Sequence, residues 1–452
     1  NASLGQVSIK NALLPLNKKA QKAMQMAVSA NKVDLEKVQP FAVLLASFPK
    51  EMQLAGIAQS DVSISSEKQG YRILTDATHI KNLKVIYPDK KPFEANDVLI
   101  NFDAEVDPEQ KTINVKKLQL ISPQIKINKG ELSQVNKSDK TKLAGRLDCE
   151  YDWSAVSTVT APYLPQGLSI EGQRKDTISF DCEYPTDQKD KLLENLNTKA
   201  KVGFTKAQYM GLNFGATDVD FQIQSGLLKI APFSTKVNNG QFSFASEANF
   251  KDKPSLLKTT GPIQMAKDIQ ITNEMAARLL KYVNPIFANV AKVSGVANFH
   301  CERLAIPLKK ENKNDIEVIG TISVNQLYLE GSDLLGQILS LAGGKTPGQR
   351  FTIQPTRFVL QKGLLQYEDM QLDVGDNPVN FKGAIGLDNN ANMTVTLPYT
   401  MSGRTVRVGE KTGDRISLPL TGPIDKLKLD TGKLLEEQAI KKGLELLDKL
   451  FK

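Results

Sequence analysis

From Val62 onward apolar residues recur at every second position, and this period constrains the fold more than anything else in the chain. In "VLINFDAEV", Val98 to Val106, Phe102, Ala104 and Val106 alternate with Asp103 and Glu105. Neighbouring side chains in a strand point to opposite faces, so such a segment has one apolar and one polar side. Val62–Thr75, Thr112–Asn128 and Leu143–Trp153 read the same way, with Asp, Pro, Asn and Gly between them. "FKGAIGLDNNANMTVTLPY", Phe381 to Tyr399, reads as two strands joined at Asp388, Asn389 and Asn390.

A longer order repeats. Ala216–Phe250 and Pro355–Leu387 each run strand, Gly-Leu-Leu turn (at Gly226 or Gly363), strand, and a third Phe-bearing strand. Asn96–Leu132 is a looser version. Fixed order with diverged residues predicts repeated meanders stacked along one axis. The expected fold is mainly β with helical insertions: elongated, stacked antiparallel β-meanders forming a β-groove or half-pipe.

Helical patterns punctuate it. "NKKAQKAMQMAVSANK" and "VDLEKVQPFAVLLASF" predict an N-terminal helical segment, with Asp34 as a helix start. Thr272–Val290 places Met275, Leu279, Val283, Ile286, Phe287 and Val290 on one helix face, and Pro285 must kink or split it. "SDLLGQILSLAGG" starts at a cap, Ser332, and stops at Gly343 and Gly344. The last residues carry an apolar half-wheel that predicts a capping helix. The expected divisions are a helical segment over 1–56, a repetitive β body over 57–271, a second β region with short helices over 272–430, and an amphipathic terminal helix over 431–452.

The chemistry is sparse. Apolar residues at 40% and charged residues at 24% suit a folded chain rather than a disordered one. The longest apolar run, Phe41–Phe48, is too short to span a bilayer, and the opening "NASLGQ" reads as a processed or partial chain. The net charge of +8 is interleaved with acids, and Lys126–Lys142 has no aromatic residue on which bases could stack, so no nucleic-acid partner is expected. Cys149, Cys182 and Cys301 match no zinc spacing; a Cys149–Cys182 disulfide in an oxidising compartment would leave Cys301 odd. "AGGKTPGQ", Ala342 to Gln349, lacks the glycine spacing of a phosphate loop. Asp103 and Glu105 share a strand face as a carboxylate pair in a glycosidase or calcium site would, but alternation with Phe102, Ala104 and Val106 also makes them an ordinary outward face. No catalytic residue, metal site or cofactor is expected.

What remains is the apolar side of the strands, which must meet another sheet, a helix or a ligand. Ile113, Val115, Leu118, Leu120, Phe221, Ile223, Phe242, Phe244, Phe358 and Leu360 are the positions expected on inward faces. If the sheets do not close, these residues line a groove for phospholipid acyl chains; if they close, the same residues are core.

The order of pieces in the last third resembles the AsmA-like C-terminal region of bacterial envelope proteins, relatives of TamB. The resemblance rests on "KYVNPIFANVAKVSGVANFHCERLAIPL" (Lys281–Leu308), "GTISVNQLYLEGSDLLGQILSLAGG" (Gly320–Gly344), "FVLQKGLLQYEDMQLDVGDNPVNFKGAIGLDNNANMTVTLPY" (Phe358–Tyr399) and "LPLTGPIDKLKLDTGKLLEEQAIKKGLELLDKLF" (Leu418–Phe451). It implies a non-enzymatic periplasmic or cell-envelope protein with a repeating β-groove, usually membrane-anchored, that handles phospholipid and supports outer-membrane homeostasis beside an envelope membrane or membrane protein. A scaffold of closed β-sandwich repeats that binds other proteins is the second expectation, and a carbohydrate-active enzyme on a β scaffold a third.

Overall fold

A computed structural model describes residues 5–13, 24–39, 52–67, 70–86, 92–159, 164–308, 313–341, 350–374, 377–398, 415–430 and 432. The fold is mainly β, with 25 antiparallel strands and little helix among the described residues. It divides into two compact units. The first is Asn1–Ala207, Ala216–Ala231 and Ala248–Lys253; the second is Gln208–Gly215, Pro232–Glu247 and Pro254–Lys452. The terminal helix expected over 431–452 and the "AGGKTPGQ" segment lie outside the described residues, Gly432 aside.

The chain opens with β1 (Gln6–Leu13), β2 (Gln25–Asp34), β3 (Gln53–Glu67), β4 (Gly70–Ile86), β5 (Phe93–Asp107), β6 (Thr112–Ile121), β7 (Ile125–Asn136) and β8 (Lys140–Asp152). Helix α1 (Trp153–Val159), β9 (Ser169–Glu171), β10 (Gln173–Pro185), α2 (Leu192–Asn195) and β11 (Asn197–Phe204) follow. Then come β12 (Lys206–Tyr209), β13 (Leu212–Phe214), β14 (Thr217–Gln224), β15 (Leu227–Val237) and β16 (Gly240–Asn249). In the first unit each strand from β1 to β8 pairs with the next, β8 pairs with β10, and β11 pairs with β14. Between β10 and β11 only Ser179, Phe180 and Asp181 are paired.

The N-terminal helical expectation is corrected over its described part, while residues 14–23 and 40–51 of it lie outside the described residues. Gln25–Asp34 is a strand between β1 and β3, with Met26 opposite Ile64 and Val28 opposite Val62. Ala, Met and Lys favour helix only weakly, and cross-strand pairing overrides them. Residues 35–39 are helical, and Asp34 accepts the Glu36 amide at 3.1 Å where the helix was expected to start.

The second unit continues with β17 (Leu256–Thr259), β18 (Ile263–Gln270), α3 (Asn273–Arg278), β19 (Lys292–Pro307), β20 (Glu317–Glu330), α4 (Asp333–Leu341), β21 (Phe351–Gln361), β22 (Leu364–Val374), β23 (Asn377–Gly386), β24 (Asn390–Pro398) and β25 (Arg415–Pro423). From β18 to β25 successive strands pair in order. The segment expected as one kinked helix is broken into α3 and 3-10 turns at Leu280–Tyr282 and Pro285–Phe287, because Pro285 cannot donate its backbone nitrogen to a continuing helix. These turns and α4 supply Leu280, Ile286, Phe287 and Ile338 to one core with Leu327, Met370, Phe381 and Leu397 from the strands. Ser332 fixes α4 as its cap: its hydroxyl accepts the Leu335 amide at 3.3 Å and donates to the Ile286 carbonyl at 2.9 Å.

Candidate functional site

In antiparallel strands, directly paired residues carry their side chains on the same face. In the first unit one such row runs Val28, Val62, Thr75, Phe102, Leu118, Gly130, Leu147, Ile178. The next runs Met26, Ile64, Ile73, Ala104, Val115, Leu132, Gly145, Phe180, Thr198, Ile223, Leu228. Together they form a continuous apolar face. The opposite face is polar: Ser65, Arg72, Glu105 and Asn114 form one of its rows, and Arg146, Ser179, Lys199 and Gln222 another.

Ile113, Val115, Leu118 and Leu120 all belong to the apolar face, although strict alternation would divide odd from even positions. A bulge reconciles them: Phe102 pairs with Leu118 and Ala104 with Val115, so Lys116 and Lys117 occupy a single step of β5. Both lysines are exposed, and Lys116 pairs with Glu105.

What covers this face decides its use. Its large side chains, among them Val62, Ile64, Ile73, Phe102, Val115, Leu118, Leu132, Leu147 and Phe180, are only half-buried. The fully buried apolar residues of this unit are mostly alanines, with Val98, Cys182 and Ile223. Among the described residues no buried apolar cluster forms in the first unit; both clusters lie in the second. Packing in the first unit runs mainly between neighbouring strands, and α1 meets β5, β8 and β9. Among the described residues of this unit the meander is therefore a single layer whose apolar face carries no second layer along most of its length.

One end of the face is polar. Tyr151 donates to Asp176 at 2.7 Å, Arg174 lies 2.8 Å from Asp218 and 3.6 Å from Asp176, and Trp153 donates its indole N–H to the Gly203 carbonyl at 2.6 Å. Burial raises the Tyr151 phenol above its ordinary range, and the Asp176 carboxylate adds to the shift. Burial, with Asp148 and Asp176 nearby, likewise raises the Cys149 thiol, which disfavours the reactive thiolate. Cys149 pairs with Asp176 and Cys182 with Leu143, six positions apart along β8, which is about 20 Å of strand. That is beyond disulfide reach, and all three cysteines are free.

The remaining expected positions separate. Phe221 is half-buried and Ile223 is buried at 9% exposure, both on the open face. Phe242 and Phe244 belong to the second unit, stacked 6.1 Å apart at the border of its core. Phe358 and Leu360 are corrected from groove to core: both are in the large cluster, and Phe358 stacks on Phe299 at 5.7 Å. The strand face that carries them is packed into the core of the second unit. Gly145, on the same face as Val115 and Ile223, was not among the expected positions, since a glycine carries no apolar signal.

The carboxylates of β5 face outward. Arg72 donates to both Asp103 oxygens at 2.8 Å, and this bidentate bond, helped by Lys116 and Lys117, holds the Asp103 carboxyl below its usual value. The depressed folded value means that the unfolded chain binds the extra proton. Its stabilisation is present above the ordinary Asp value of about 3.9 and is lost as pH falls through the lower folded value. Because Arg72 is 42% exposed, the contribution is expected below about 1 kcal/mol. Urea midpoints of the wild type and Asp103→Asn should differ slightly at neutral pH and converge in acid; a constant difference would assign the effect to packing.

No family model, curated protein or solved structure matches the chain. Among the described residues no cluster of His, Cys, Asp or Glu could hold a metal ion, and no helix is long and apolar enough to cross a membrane.

Proposed function

We propose that the first unit binds and conducts lipid acyl chains along its open apolar face, as a non-enzymatic cell-envelope protein of AsmA-like type acting beside a membrane or membrane protein. The observation that carries this reading is the continuous apolar face from β2 to β14, most of whose large side chains are only half-buried, with no core cluster over them among the described residues. Water against such a surface is unfavourable, and each methylene moved from water onto it gains about 0.8 kcal/mol. An extended chain gains from many side chains at once without needing a closed pocket. The polar contacts at the far end, where Tyr151 and Arg174 meet Asp176 and Asp218, supply a boundary rather than a reaction centre.

The second unit, with its closed core, suits a structural role, and most of the stretch that resembles AsmA-like regions lies within it. A scaffold reading of the whole chain would follow if the first unit also proved dry and unliganded. Native mass spectrometry after gentle extraction separates the two: co-purifying phospholipid is the expected result. A lipid-free protein that also takes up no added phospholipid would favour the scaffold.

A further inference from the structure

Gly145 sits on β8 between Leu132 of β7 and Phe180 of β10, each directly paired with it. Its φ lies outside the left-handed region, so its backbone does not require glycine. Its surroundings do. A Cβ built there would lie 2.6 Å from Leu132 Cδ2, 2.7 Å from Phe180 Cζ and 2.8 Å from Phe180 Cε1. Both side chains therefore lie down across the glycine, flat on the apolar face. The neighbouring strand repeats the arrangement: a Cβ at Gly130 would meet Leu118 Cβ and Leu147 Cδ2, each at 3.0 Å. These glycines occupy adjacent rows of the face, so its middle is floored by side chains folded over two bare stretches of backbone.

We propose that Gly145, by letting Phe180 and Leu132 lie flat, sets the depth of the groove and fits it to linear acyl chains. The inference rests on the groove reading above. A side chain at 145 must displace those two groups, which lie over the backbone and so lift away from the sheet, into the space a bound chain would occupy. The displaced atoms are the far ends of flexible side chains, so this move obstructs the groove without breaking the strand. Gly130 is the less suitable test site, because its close neighbours include the Leu118 Cβ and carbonyl, which cannot swing aside.

A flat aromatic ring over a glycine also protects cross-strand hydrogen bonds, and a purely structural role must be told apart from this one. The test is binding of cis-parinaric acid, a linear fluorescent acyl probe, to the full chain. Gly145→Val should keep its circular dichroism and bind about tenfold more weakly, the loss of roughly two methylenes of burial. Adding Phe180→Ala should return binding to near the wild-type level while lowering thermal stability further, since the ring no longer covers the strand. Gly145→Ala provides the same reading with a smaller side chain if the valine variant does not fold. Unchanged binding in the folded Gly145 variants, or no recovery in the double variant, would overturn the calibre role and leave the groove reading intact. Absence of probe binding by the wild type would remove the groove reading, and the calibre with it.

Discussion

Phe381→Ala is expected to destabilise the protein by about 3–5 kcal/mol, as large-to-small changes in closed cores do. Phe381 is fully buried, paired with Met370 on β22 and Val395 on β24, and belongs to the cluster that α4 and the 3-10 turns close. Removing its ring leaves a cavity whose walls are held by strands on both sides, so little collapse can offset the loss. The matched change in the first unit, Val115→Ala, should cost below about 1 kcal/mol, because a half-exposed side chain forfeits only part of its transfer energy and leaves no enclosed cavity. Urea unfolding followed by circular dichroism measures both. Similar large costs at the two positions would mean that the face carrying Val115 is covered after all, and the acyl-binding proposal would lose its basis.

The strands were legible because period two and turn chemistry agree. The repeated Gly-Leu-Leu turns prove alike in geometry: Ser225 and Gly226 have φ of 48° and 82°, and Lys362 and Gly363 have 51° and 74°. Two successive positive φ values are what a tight hairpin between right-twisted strands needs. The N-terminal strands were not legible, because Ala, Lys and Met leave local preference close to neutral and the deciding contacts, Met26–Ile64 and Val28–Val62, are more than thirty residues apart in sequence. The adjacent lysines at 116 and 117 carried the bulge signal: two consecutive polar residues between apolar neighbours keep one face apolar only if the strand takes an extra residue. Phe358 and Leu360 show where strand periodicity stops distinguishing core from surface. Their period-two spacing matches that of Ile113 and Val115, and only the packing of the second unit's core in three dimensions makes one pair buried and leaves the other at the surface.

That difference makes charge the sharpest probe of the open face. Val115→Asp should leave the fold intact, because a carboxylate at a half-exposed position keeps its water on the open side. The same substitution at Ile223, 9% exposed on the same row, has less water to retain and should cost several kcal/mol, at the level of about 2–5 kcal/mol for burying an unpaired charge. Acyl binding should respond in the opposite sense to stability. A chain lying over Val115→Asp must strip the carboxylate of water or leave the face, so affinity for cis-parinaric acid should fall by about a hundredfold, equivalent to roughly 2.7 kcal/mol. Val115→Ala, which removes apolar area without adding charge, should weaken binding by no more than about tenfold. Thermal melts and probe titrations on the three variants decide the matter together. A folded Val115→Asp that binds as well as the wild type would show that acyl chains do not run over β6, and an unfolded one would show that Val115 is core.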